Sequence, residues 1–119
     1  MRRALLIGLS ALVLAGCGGS NGPHIVSGGN ADRGKQLIGH YGCGSCHEIG
    51  GVHGANGKVG PTLEHFREKR SIAGKLPNTP DDVARWIMHP QQIYPGNLMP
   101  DLGVKHDEAR DIAAYLYGQ

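Results

Sequence analysis

The sequence predicts an all-α fold of three to four helices, and three observations predict it. No segment alternates polar and apolar residues over the length of a strand. Two segments carry strong helix signals: a capped start at Thr79-Pro80-Asp81-Asp82, and an apolar stripe at Ala109, Ile112, Ala113 and Leu116. Between the first helix and these lies Gly39 to Gly60, with eight glycines in 22 residues and no period of 3.6 or 2, which reads as loop. A chain of 119 residues is one domain with appendages. A formal charge of +2 gives no reason to expect nucleic acid, and three cysteines make no disulfide scaffold. One problem stands out. Glycine takes 20 positions, while the aromatics are one Trp, four Tyr and one Phe, so the residues that usually fill a core are scarce.

Residues 1–16 read as an export signal. Arg2 and Arg3 precede the apolar run Ala4 to Ala15, which is too short to span a hydrocarbon core of ~30 Å. The ending Leu14-Ala15-Gly16-Cys17 resembles the lipobox of bacterial lipoproteins. That resemblance implies a lipidated Cys17 as the mature first residue, and a protein anchored to a membrane on the extracytoplasmic (periplasmic) side of a bacterial cell envelope. Losing Arg2 and Arg3 leaves the mature chain formally neutral. Residues 17–30, rich in Gly, Ser, Asn and Pro, read as the lipidated cysteine and a flexible tether with a root-mean-square reach of roughly 20 Å; Ile25-Val26 is the one apolar pair in it that could pack.

The domain proper is then 31–119. A first helix starts at Asn30 or Ala31, with Leu37 and Ile38 on its apolar face, and frays at Gly39 to Gly42. Thr62 to Lys69 reads as a short helix with Leu63 and Phe66 inward. At Thr79 the hydroxyl caps a helix, Pro80 takes its first position, and two acids face the positive end of the dipole. Val83, Trp86 and Ile87 share a face there, and Pro90 ends the helix near His89. Tyr94 to Gly103 is loop. The last helix runs from about Lys105 to Tyr117 and ends at Gly118 in the manner of a C′ glycine.

Cys43-Gly44-Ser45-Cys46-His47 is the centre of the chemistry. C-x-x-C-H is the attachment motif of haem c: two thiols three apart reach the two vinyl-derived carbons, and the next residue brings an imidazole under the iron. Three other uses of a cysteine pair fit less well. Zinc needs four ligands, and the remaining cysteine, Cys17, is in the lipobox. A redox dithiol needs a βαβ context, and a disulfide across so small a loop gains little. His47 is therefore the proximal ligand. For the sixth position the candidates are Met88, Met99 and histidines 24, 40, 53, 65, 89 and 106. Met88 follows Trp86 on a good helix and reads as packing. Met99 sits in the rigid extended run Pro95-Gly96-Asn97-Leu98-Met99-Pro100, where a side chain can be aimed at a metal, and is preferred. A thioether favours Fe(II) and raises the reduction potential. With both axial positions filled no substrate reaches the iron, so the expected function is electron transfer and not catalysis, with no small-molecule substrate.

Taken together, Cys43–His47, Gly60-Pro61, the Met99-Pro100 loop and the terminal run Ile112-Ala113-Ala114-Tyr115-Leu116 resemble a class I cytochrome c over residues 31–119. The resemblance implies helices wrapped around one covalently bound haem c. It also implies that the Pro61 carbonyl accepts the Nδ1–H of His47, and that Trp86 hydrogen-bonds a haem propionate. Gly34 should let the first helix cross the last closely, with Leu37 or Ile38 against Ile112 and Leu116. Lys105 departs from the pattern, standing where a capping Thr or Ser is expected. More narrowly, Ile72 to Pro80, Trp86-Ile87, Pro90-Gln91 and Pro95 to Pro100 are similar to the cytochrome c domain fused to subunit II of caa-type haem–copper oxidases. No second cysteine pair is present for that subunit's binuclear copper centre.

The leading expectation is a membrane-tethered electron carrier between a quinol-oxidising complex and a terminal oxidase, since tethering raises effective concentration near membrane partners. A fixed haem subunit of a membrane dehydrogenase or oxidase is the alternative, and a peroxidase or gas-binding haem with a displaceable Met99 is the third. Residues 58–75 carry a net +3 and residues 76–119 a net −3; a basic segment at the haem edge would steer the protein toward an acidic partner patch. The missing core is the haem. Burying roughly 400 Å² of its apolar surface is worth about 10 kcal/mol, comparable with a domain's net stability of ~5–15.

Overall fold

The computed structural model describes residues 26–119. The export signal, Cys17, His24 and the tether up to residue 25 lie outside the described residues. Four helices form: α1 (Ala31–His40), α2 (Pro80–Met88), α3 (Pro90–Ile93) and α4 (His106–Tyr117). One small antiparallel hairpin joins β1 (Ser71–Ile72) to β2 (Leu76–Pro77).

Helix α1 begins where an Asn in extended backbone can cap it: the Asn30 side-chain oxygen accepts the Arg33 N–H at 2.9 Å. It crosses α4 at Gly34, where a Cβ would collide with the Asp111 carbonyl oxygen and stand 2.5 Å from its carbon. Only glycine permits that approach, as the resemblance implied. Ile38 is 1 % exposed and packs in one core with Ile112 and Leu116, while Leu37 is half-buried beside them. Polar groups staple the crossing. Asp111 Oδ1 accepts the Asn30 N–H at 2.7 Å, and Arg33 Nη1 lies 2.9 Å from Asp111 Oδ2, at an angle that leaves that oxygen without an aligned donor. Tyr41 Oη donates to Glu108 at 2.6 Å, which holds the Glu108 carboxyl below its ordinary value and the Tyr41 phenol above its own.

The unexpected Lys105 is explained by that same glutamate. The Lys105 N–H donates to the Glu108 carboxylate at 3.0 Å, so α4 is capped from its own third residue, half of a capping box. Helix α2 starts as expected, with the Thr79 side chain accepting from the Asp82 N–H at 3.2 Å. Val83, Ala84 and Ile87 are buried against α4, and Trp86 is half-buried.

Several expectations are corrected. The tether reading included residues 26–30, but Val26 is 2 % exposed in the core and Arg110 Nε donates to the Ser27 carbonyl at 2.8 Å. Residues 62–69 do not form a helix. His65 takes a left-handed φ of 51°, and only a single 3-10 turn, Phe66–Glu68, follows. Phe66 still turns inward, edge-on to the Tyr117 ring at 5.7 Å. The hairpin was not foreseen because each strand is two residues long, too short to show alternation; Ala73 and Gly74, with φ of 51° and 65°, make its turn. Helix α3 was not foreseen either, since one turn after Pro90 leaves no period. Gly118 is right-handed at φ −84°, not a left-handed C′ glycine.

Candidate haem site

The Cys43–His47 motif is folded tightly by its own backbone. Cys43–Ser45 is a 3-10 turn, closed by the Cys46 and His47 N–H groups donating to the Cys43 carbonyl at 3.2 and 3.0 Å. That turn brings Cys43, Cys46 and His47 to the wall of one cleft of about 490 Å³. Five of the eight glycines in the 39–60 segment, Gly44, Gly50, Gly51, Gly57 and Gly60, are close-approach positions. A Cβ at Gly57 would stand 2.5 Å from the Ser45 carbonyl, and one at Gly60 would stand 2.7 Å from Nδ1 of the His47 ring. The His47 Nδ1 lies 2.7 Å from the Pro61 carbonyl oxygen. That carbonyl can only accept, so the proton sits on Nδ1 and the Nε2 lone pair is left for a metal. Burial pushes the Cys43 thiol up, against the lowered pKa of a redox-active thiolate.

The far wall comes from α1, α2, α4 and the loop after α3. Ile38, Val83, Ile87, Ile112 and Leu116 supply an apolar floor, and Trp86 and Met99 also line the cleft. Val59, Tyr94, Leu98 and Leu102, the large apolar side chains that remain exposed, line it too. The exposed apolar surface is thus gathered at one place, as a site for a flat apolar cofactor requires. Of the two described methionines, Met99 reaches this cleft, while Met88 packs beside the core away from it. Histidines 40, 53, 65, 89 and 106 are exposed and none lines the cleft. Among the described residues no group of three or more His, Cys, Asp or Glu is arranged to hold a metal ion between them, so a zinc site there has no ligand set. A second cavity of about 470 Å³, between Lys75, Arg85 and Ile93, holds no cysteine or methionine.

The cysteine pair, its histidine, the Pro61 carbonyl and Met99 were legible in the sequence as a set. Gln91 and Asn97, which hold the Met99 backbone (Gln91 Nε2 to the Met99 carbonyl, 2.7 Å; Met99 N–H to Asn97 Oδ1, 2.7 Å), were not assigned a role. Their signal was present only as members of the segment resembling the oxidase-fused domain.

Comparison with known proteins agrees with this geometry. The cytochrome c family pattern matches residues 31–118. Over 87 residues, 72% of this chain, it is 33% identical to cytochrome c oxidase subunit 2 of Alkalihalophilus pseudofirmus. To cytochrome c oxidase subunit 2 of Bacillus subtilis it is 28% identical over 89 residues, 73% of the chain. The match covers 25% of each relative, so the chain corresponds to about a quarter of their length. No solved structure matches significantly. With its motif on one wall of an apolar cleft and its helices crossing at Gly34, the chain belongs to the cytochrome c family, has the class I fold, and binds haem c covalently through Cys43 and Cys46.

Proposed function

We propose that this protein is a membrane-anchored monohaem electron carrier of a respiratory chain, delivering electrons to a terminal oxidase. The observation that carries the reading is the convergence on one cleft of Cys43, Cys46 and His47 with Met99, from the other half of the chain. In this reading His47 Nε2 and the Met99 thioether would hold the haem iron. The Pro61 carbonyl orients the imidazole through its Nδ1 proton and makes it a better donor, and the Trp86 indole N–H binds a propionate. Bound haem supplies a one-electron Fe(III)/Fe(II) couple. Both of these ligands would come from the protein, which would keep substrate off the metal and restrict the site to electron transfer. The thioether favours the reduced state, which suits a carrier placed late in a chain.

The two relatives are named as oxidase subunits, which supports an oxidase as acceptor; a quinol-oxidising complex is the corresponding donor. The anchor in this reading is the lipid on Cys17. No helix among the described residues is long and apolar enough to cross a membrane. Those same names favour a second reading, in which the domain is a fixed haem subunit of an oxidase.

Two measurements test the reading. Spectra of the oxidised protein should show the Met–ferric-haem charge-transfer band, and the reduced protein should bind CO slowly; rapid CO binding would favour the peroxidase or gas-binding alternative. Deleting residues 18–25 should slow electron delivery in membranes while leaving the spectrum intact. Unchanged turnover, with the haem protein co-purifying at fixed stoichiometry with an oxidase in mild detergent, would establish the fixed-subunit reading instead.

A further inference from the structure

The loop that carries Met99 is held by two side-chain amides. Gln91 Nε2 donates to the carbonyls of Asn97 and Met99 at 2.8 and 2.7 Å, and Gln91 Oε1 accepts the Gly96 N–H at 3.2 Å. Asn97 answers from inside the loop. Its Nδ2 donates to the carbonyls of Pro90 and Tyr94 at 3.0 and 2.6 Å, and its Oδ1 accepts the Met99 N–H at 2.7 Å. A carboxamide offers two N–H donors and one oxygen, so neither amide has a spare N–H. The backbone of Gln91 is anchored in turn, its N–H donating to Asp101 Oδ1, two residues past Met99, at 3.3 Å.

Little else fixes this segment. Leu98 is 82 % exposed, and Gly96 turns the chain at φ 80°, so apolar burial does not hold the backbone on either side of Met99. A thioether is also a weak donor to iron, which makes its placement depend on the polypeptide. We propose that Gln91 and Asn97 are positioning residues that latch the Met99 loop against the cleft and so keep the sixth iron position closed to outside ligands. The inference rests on the reading of Met99 as axial ligand. It gives the single turn of α3 a purpose, which is to present Gln91 to the loop. On this account a closed electron carrier and an open ligand-binding haem differ by two amides.

The test uses the full haem-loaded protein and Gln91→Ala, Gln91→Glu and Asn97→Asp. Gln91→Glu keeps the shape and the acceptor for Gly96 but sets a carboxylate oxygen against two carbonyls. Asn97→Asp keeps the acceptor for the Met99 N–H and loses both donors. Tyr117→Phe, which removes the hydrogen bond to Asn78 on another part of the domain, is the comparator for general loosening. The latch variants should weaken the charge-transfer band and bind added imidazole about ten- to a hundred-fold more tightly, the effect of losing two or three net hydrogen bonds; Tyr117→Phe should match the parent in both. In the parent, the Met99 amide should exchange slowly with solvent although Leu98 beside it is exposed. Folded latch variants with an intact band and imidazole affinity within about twofold of the parent would overturn the proposal. Fast exchange of the parent Met99 amide would overturn it without any variant. A parent that lacks the band altogether overturns the Met99 reading itself.

Discussion

Single atoms decide much at this site. The His47 ring is held between the Pro61 carbonyl, which fixes its proton, and Gly60, whose missing Cβ leaves the ring room. Neither contact can be moved without turning the imidazole. Outside the cleft lining Tyr117 is buried, 4 % exposed, with its hydroxyl donating to Asn78 Oδ1 at 2.6 Å. Asn78 passes the constraint on, its Nδ2 donating to the Phe66 and Lys69 carbonyls at 2.8 Å each, so one phenol indirectly shapes the loop between Phe66 and the hairpin. Burial pushes that phenol up to about 12. An unfolded tyrosine ionises near 10, so the folded protein keeps a proton that the unfolded chain gives up. The stability this contributes is fully present below about pH 10 and is lost as pH rises toward about 12. Denaturant midpoints measured across that range should fall for the parent and fall less steeply for Tyr117→Phe.

Among the elements, the α1–α4 crossing carries the most consequence, because it sets the floor beneath Cys43. Two glycines of one helix separate its requirements. Gly34 sits in the crossing, where a methyl group would strike the Asp111 backbone, whereas a Cβ on Gly39 meets nothing within 4 Å. Gly34→Ala should therefore cost roughly 1–3 kcal/mol or more by overpacking. Gly39→Ala should be neutral, or stabilise by up to ~1 kcal/mol through helix propensity. Urea denaturation of the two variants side by side checks this, and equal effects would mean that the crossing is not close in solution. The short elements teach a different lesson. The 66–68 turn and α3 are too brief to have a period, and each exists because of what lies across from it: α3 because Gln91 meets the loop, the turn because Phe66 meets Tyr117.

At the scale of the whole molecule, an aromatic-poor, glycine-rich chain is completed by its cofactor. Around the motif Gly44 and Gly57 let backbone pass close to backbone and Gly60 makes room for an imidazole, and the exposed apolar side chains gather at the cleft. Changing Cys43 and Cys46 to serine, so that haem is not retained, should remove the cooperative unfolding transition seen for the haem-loaded protein. Circular dichroism on heating checks this, and a transition as sharp and as late as the parent's would show that the polypeptide core suffices. Charge contributes little at this scale. Residues 26–119 are formally neutral, the net +3 of residues 58–75 being offset by the net −3 of residues 76–119.

The sequence by itself determined the chemistry and the long helices. Haem attachment is written locally, in five consecutive residues whose spacing matches the porphyrin edge, and α1, α2 and α4 declare themselves through caps and apolar period. The all-α class followed, together with the glycine that permits the crossing. Tertiary structure alone decided what depends on partners distant in the chain. It replaced the expected 62–69 helix with a turn, docked Val26 on the core, tied Glu108 to Tyr41, and closed two amides around Met99. The physical reason is the same in each case: a hydrogen bond or a buried contact fixes the backbone only once both partners are in place, and no local pattern records the second one.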